Sequence, residues 1–320
     1  MLGVASVTWR RRALVLGGGL AFAAALLLVA AAPSFWVLLA AFALLYPASG
    51  AFVSLSQAAL MDLEPERREH NMTRWTFAGA IGAVLGPLLL AGFAFAGLGW
   101  RALFAGFAVI TLALVAAARR APDDGNDGER LQLREALRAI TRREVFRWLF
   151  LLELSDLLGD VLLGFVALYF VDEVGTSAAT GGLAVAVWTG AGLAGAAAMI
   201  PLLARVDGVR YLRVSAAASA VLFVGFLLAP TVAAKLALVA AIAFVNAGWY
   251  SVLQARLYGA LAGGSGLVLT VGALFPLNAV LPLGIAALAE RWGLDVALWP
   301  LLAAPAALLL LLPRRAGDVR

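Results

Sequence analysis

The sequence predicts an all-α membrane protein that crosses the bilayer about ten times, and three observations carry that prediction. First, 63% of the residues are hydrophobic and only 13% are charged, with a mean hydropathy of +0.96. A water-soluble domain of 320 residues cannot hide that much apolar surface. Second, uncharged apolar runs of bilayer-spanning length follow one another almost without interruption. Third, the arginines fall between these runs in a regular alternation, which is a topological signature rather than a binding surface.

In chain order, helices are expected near residues 13–32, 35–60, 75–97 and 101–118, followed by a polar stretch from Arg119 to Arg147. Six more are expected near 148–171, 179–204, 211–229, 232–256, 264–289 and 294–312. Each supplies the roughly 20 residues a spanning helix needs. Three regions result: an N-terminal set of four spans over 1–118, a linker over 119–147, and a six-helix half over 148–320. The first apolar run leads through Pro33 directly into a second span, as a retained helix does and a cleaved signal peptide does not.

With the N-terminus placed inside, alternate loops assign 21 of the 24 basic residues to the cytoplasmic side, leaving only Arg101, Lys235 and Arg291 outside. A wrong helix count would scramble that alternation, so both termini are expected in the cytoplasm of a multi-pass plasma-membrane protein. The net charge of +5 therefore reports orientation, and no nucleic-acid partner is implied. Cysteine is absent, which removes disulfides and thiolate metal sites. His70 has no companion at metal-ligand spacing, and no cofactor motif is present. Within the linker, Asp123 to Gly128 reads as a turn. Leu131 to Arg143 reads as a surface helix with Leu133, Leu137 and Ile140 on one face, or as a solvated connector.

Three acidic residues lie well inside a span, all in 148–171: Glu153, Asp156 and Asp160. In a regular α-helix, offsets of 3 and 7 hold them within about 60° of one another. A carboxylate in hydrocarbon costs at least about 2.5 kcal/mol, so this stripe should face a bundle interior or a watery cavity. Crowded carboxylates of this kind can exchange protons near neutral pH, as a proton-coupled carrier requires. A structural ion pair of Glu153 with Arg147 or a linker arginine competes with that reading. Weaker polar pointers are Asn246, Tyr250 and Gln254, which recur every fourth residue along 232–256, together with Gln57 and Asn278.

A long basic linker ahead of a six-helix half resembles the major facilitator superfamily, whose members join two six-helix halves through such a loop. Gly82-x-x-x-Gly86-Pro87 resembles the antiporter motif of that family's drug and proton exchangers, with the trailing glycine displaced to Gly92. Trp9 to Gly17 resembles the end of the basic loop before the family's third helix, and Arg205 to Arg210 resembles a degenerate second copy. The resemblance implies a secondary transporter with a central cavity and alternating access, small-molecule and proton partners, a monomer in the bilayer, and no catalytic residues. It also implies a role for Gly82, Gly86 and Pro87 in conformational change, a cytoplasmic gate at Asp207 and Arg210, and a chain that starts at the family's third helix. In that alignment 148–171 is the seventh helix, 232–256 the tenth and Asn278 lies on the eleventh, all near the cavity. A ten-helix drug/metabolite carrier divides five plus five and fits the four-plus-six spacing less well. A magnesium-dependent prenyltransferase-like enzyme would use Asp156-x-x-x-Asp160, but its second aspartate-rich motif is missing.

Overall fold

The computed structural model describes residues 11–120, 138–261 and 277–313, and every regular element among them is a helix. The first elements are α1 (Arg11–Ala31), α2 (Phe35–Ser49), a π-helical turn Gly50–Ser54, α3 (Leu55–Leu63), a 3-10 turn Pro65–Arg67, α4 (Arg68–Phe95) and α5 (Gly99–Ala118). Then come α6 (Arg143–Asp156), a π turn Leu157–Val161, α7 (Leu162–Leu168), a π turn Tyr169–Glu173, α8 (Ala178–Leu203), α9 (Gly208–Leu228), α10 (Val232–Asn246) and α11 (Trp249–Ala260). The last are α12 (Leu277–Trp292), α13 (Leu294–Ala297), a 3-10 turn Trp299–Leu302 and α14 (Ala303–Leu311).

Nine helical stretches among the described residues are long and apolar enough to cross a membrane. The tenth expected span, 264–289, is described only from Leu277, as the 16-residue helix α12. Of the expected linker surface helix, Leu131 to Arg143, only 138–143 are described: 138–140 are helical, and a turn at Thr141 and Arg142 separates them from the helix that begins at Arg143. The third span starts earlier than expected. Pro65 opens a 3-10 turn and Glu69 sits in the first turn of α4, where a proline needs no N–H and a carboxylate meets the positive end of the helix dipole.

The described residues fall into two compact units. One holds 11–65, 85–120, 138–139 and 261, and the other holds 66–84, 140–260 and 277–313, so α4 is shared between them. In the first unit α1 packs on both α2 and α5. A Cβ on Gly18 would lie 2.6 Å from the Ala51 Cβ and 2.9 Å from the Phe52 nitrogen, so glycine is what lets α1 approach the π turn. The second unit repeats the pattern, with α9 packed on α10 and α14. It adds α6 against α11 and α14, and α8 against α7 and α10.

Many large apolar side chains are exposed. Trp36 is 74% exposed, Tyr46 85% and Phe95 97%, which suits contact with lipid rather than water. Helix starts are closed by side chains where no preceding turn can do it: Ser34, Ser177, Asp207 and Thr231 each accept a bond from a first-turn N–H. The start of α13 is closed from a distance, the Leu294 N–H donating to Glu173 Oε1 at 2.7 Å.

Lys235, assigned to the non-cytoplasmic side by the charge count, is buried at 6% exposure in the first turns of α10. Its ammonium donates to the Tyr169 hydroxyl at 2.8 Å and to the carbonyls of Phe226 and Leu227 at 2.8 and 3.2 Å, the last being carbonyls that end α9. It also lies 5.0 Å from the Tyr169 ring centre and 5.3 Å from that of Phe226. All three donors are spent, and one cation ties α7's end, α9 and α10 together.

Two outcomes test this packing. Gly18→Val should lower stability by about 1–3 kcal/mol, whereas Gly17→Val, with nothing within 4 Å of its Cβ, should change little. Thermal unfolding in detergent measures both. Lys235→Met should destabilise more than Tyr169→Phe in the same assay, because it leaves three acceptors without their donor, whereas Tyr169→Phe removes one of the three acceptors around the ammonium.

Candidate functional site

The long stretch Arg143–Glu173 carries the acidic residues, and it is not one regular helix. The π turn Leu157–Val161 inserts an extra residue into the helical ladder between α6 and α7, and Asp160 sits inside that turn. The three carboxylates consequently do not share one environment. Glu153 is buried at 7% exposure, Asp156 is half-buried, and Asp160 is exposed. The stripe expected from a continuous 3.6-residue period is widened, because a π turn advances fewer degrees per residue and carries Asp160 further round from Glu153 while keeping it beside Asp156. Glu153 and Asp156 each have interaction partners, and Asp160 makes no hydrogen bond or ion pair among the described residues. A carboxylate thus stands open in the middle of a 31-residue apolar span.

Asn246, Tyr250 and Gln254 were expected along one continuous helix. The structure breaks it at Ala247 and Gly248, leaving Asn246 at the end of α10 and the other two on α11. Asn246 is half-buried and accepts from the Ser219 hydroxyl, Tyr250 is 37% exposed, and Gln254 is buried at 7%. Gln57 on α3 is also buried, at 6%. The Asn278 side chain lies outside the described residues.

On α4, Gly82 and Gly86 have no described atom within 4 Å of a would-be Cβ, so close packing against a described neighbour does not account for them. Pro87 lies inside the helix and cannot bond to the Ala83 carbonyl, which loosens the ladder there.

Asp207 caps α9 through Oδ1, accepting from the Arg210 backbone N–H at 3.1 Å. Arg210 thus contributes its amide here. The guanidinium in the cluster belongs to Arg256, at the far end of α11, a residue the sequence placed only in the charge count. Its Nη2 donates to Asp207 Oδ2 at 3.2 Å, and its Nε lies 2.7 Å from Glu69 Oε1 without the N–H being aimed at that oxygen. Glu69 also accepts from the Gly208 N–H, and a Cβ at Gly208 would collide with its carboxylate. The first turn of α4, the start of α9 and the end of α11 are therefore joined by two acids, one arginine and one helix N-terminus. Glu69 and Arg256 were separated by almost two hundred residues of sequence with no shared motif.

No metal-holding group of three His, Asp or Glu occurs among the described residues. The spans hold carboxylates, amides and hydroxyls beside a broken and bulged backbone, an arrangement suited to binding polar groups and moving between states.

The fold is found in solved transporters. The structure of FucP, a major facilitator superfamily transporter in the outward conformation, aligns with a TM-score of 0.72 at 14% identity, covering 94% of this chain and 82% of that one. The human organic anion transporter MFSD10 aligns with a TM-score of 0.61 at 19% identity over 95% and 77% of the two chains. A bacterial homologue of the iron transporter ferroportin in an outward-facing state gives 0.56 at 19% identity over 94% and 83%. At these identities the likeness establishes fold alone. No curated protein matches the sequence. The sequence profile of the Major Facilitator Superfamily matches residues 1–276, so this multi-pass membrane protein belongs to that superfamily of transporters and is not an enzyme.

Proposed function

We propose that the chain is a proton-coupled secondary carrier that exports small amphiphilic solutes by alternating access, working as a monomer in the plasma membrane with both termini in the cytoplasm. The observation that carries this reading is Asp160, exposed within a π turn inside an apolar span, one helical turn beyond the half-buried Asp156. An ionisable group at such depth is costly to keep unless it is used, and a carboxylate that alternates between water and a low-dielectric surround is suited to carrying a proton. Glu153, buried and partnered, serves as the support for the pair rather than as the exchanging group. Asn246, Tyr250, Gln254, Gln57 and Asn278 are the polar groups that would meet the solute.

The leaning toward export rests on Gly82, Gly86 and Pro87, where a weakened helix ladder gives α4 the freedom to bend. The excess of arginine on alternate loops supports reading Glu69, Asp207 and Arg256 as lying at the cytoplasmic ends of their helices. There they act as a gate that holds three helix ends together and must part for the carrier to open inward.

In proteoliposomes with an imposed pH gradient and ethidium as an amphiphilic cationic probe, the native chain should drive counter-transport of probe and protons. Asp160→Asn should abolish the gradient dependence, and Asp156→Asn should weaken it. Full pH-dependent transport in the double variant would overturn the assignment, and probe movement in the same direction as protons would make the carrier a symporter. Arg256→Gln separates gating from stability. Its partners are only partly buried, so unfolding should shift by less than about 1 kcal/mol, while transport should fall severalfold because the gate no longer closes.

A further inference from the structure

The 29-residue stretch Val232–Ala260 contains no proline, yet its helix is interrupted at Ala247 and Gly248. Such a break needs a cause, and the cause is a side chain entering the ladder. The Gly248 N–H, which in a continuous helix would donate to the Phe244 carbonyl, donates to the Tyr211 hydroxyl at 3.0 Å. That hydroxyl passes its own proton to the Val245 carbonyl at 2.6 Å. One phenol from α9 therefore takes the place of main-chain partners on both sides of the break.

The neighbours on α9 extend the arrangement. Tyr211, Ser215 and Ser219 recur every fourth residue and are all buried. Ser215 Oγ accepts from the Trp249 indole N–H at 2.8 Å, and the Ser219 hydroxyl donates to Asn246 Oδ1. Two glycines make the room. A Cβ on Gly248 would lie 2.7 Å from the Tyr211 ring and 2.8 Å from Met199 Sδ. A Cβ on Gly195, on α8, would lie 2.6 Å from the Phe244 carbonyl oxygen, the acceptor that Gly248 has left.

We infer that Tyr211 is a positioning residue that makes the Ala247–Gly248 break a two-state hinge, exchanging its hydroxyl for the main-chain bonds of a continuous helix. In the bent state Gly248 N–H and the Val245 carbonyl are bonded to Tyr211. In the straight state Gly248 N–H returns to Phe244 and the Val245 carbonyl returns to the N–H of Trp249. The Gly248 N–H and the Val245 carbonyl each have a partner in both states, which is what lets both exist in hydrocarbon. The consequence falls on Asn246 and Tyr250, which straddle the break: straightening brings Asn246 onto one helical strip with Tyr250 and Gln254, successive residues about 40° apart, and bending takes Asn246 off it. The hinge stands independently of the proton-coupling assignment, because its partners are all on α8 to α11.

The chain has no cysteine, so Ala237→Cys and Gly259→Cys, both exposed and on opposite sides of the break, give a clean spin-label pair in lipid nanodiscs. Double electron–electron resonance on the otherwise native chain should show a major population shorter than the roughly 33 Å of a straight 22-residue segment. Tyr211→Phe should shift weight toward the longer distance by about fivefold, and Gly195→Ala should do the same with Tyr211 intact by crowding the Phe244 carbonyl back into its ladder. Distributions identical to native in both variants would overturn the inference and leave a fixed kink. Hydrogen exchange on the native chain supplies a check that needs no variant. The Gly248 amide should exchange faster than those of Val239 to Ala243, and equal protection across the break would refute the hinge.

Discussion

Hydrocarbon offers no hydrogen bonds, so every main-chain N–H and C=O in this chain must find its partner inside the protein. The architecture among the described residues follows from that requirement. Regular helices satisfy it automatically, which is why apolar composition alone yields a helical fold. The irregular places are the ones where the requirement is met by other means. Three π turns shift the ladder by one residue without opening it, at Gly50–Ser54, Leu157–Val161 and Tyr169–Glu173. The termini of α2, α8, α9 and α10 borrow serine, aspartate or threonine oxygens, and the break after Asn246 borrows the Tyr211 phenol.

The polar side chains obey the same accounting. Lys235 is tolerated in an apolar cluster because three acceptors and two aromatic faces surround its ammonium. Ser219, completely buried, is satisfied by Asn246. Thr76 on α4 and Ser251 on α11 bond to each other at 2.9 Å. Against that background an open carboxylate such as Asp160 is conspicuous, since Lys235, Ser219, Thr76 and Ser251 are all engaged in holding helices together. Residues committed to structure and residues left for chemistry are distinguished by their partners and not by their type.

Much of this was legible in the amino-acid sequence, and the parts that were not share a cause. Apolar run length located the spans, because hydrocarbon thickness sets that length directly. Alternating arginines and the four-plus-six spacing pointed to the superfamily, which the profile match over residues 1–276 establishes. The acidic residues on one span were readable too, but their relation to each other was not. A period of 3.6 places Glu153, Asp156 and Asp160 within a narrow face, whereas a π turn has no compositional signal and carries Asp160 further round from Glu153. Asn246 was likewise separated from Tyr250 and Gln254 by a break whose cause, Tyr211, lies 37 residues earlier than Gly248. Glu69 and Arg256 meet only through tertiary packing, and no local pattern could pair them.

Lys235 is the chain's single lysine, and its burial has a practical side. A primary amine enclosed by carbonyls and rings, fully engaged as a donor, is shielded from acylating reagents while the helices around it stay packed. Covalent amine labelling at that one position would therefore report the opening of this bundle, with a signal uncomplicated by any other lysine. The same residue that ties three helix ends together is an intrinsic probe of when they come apart.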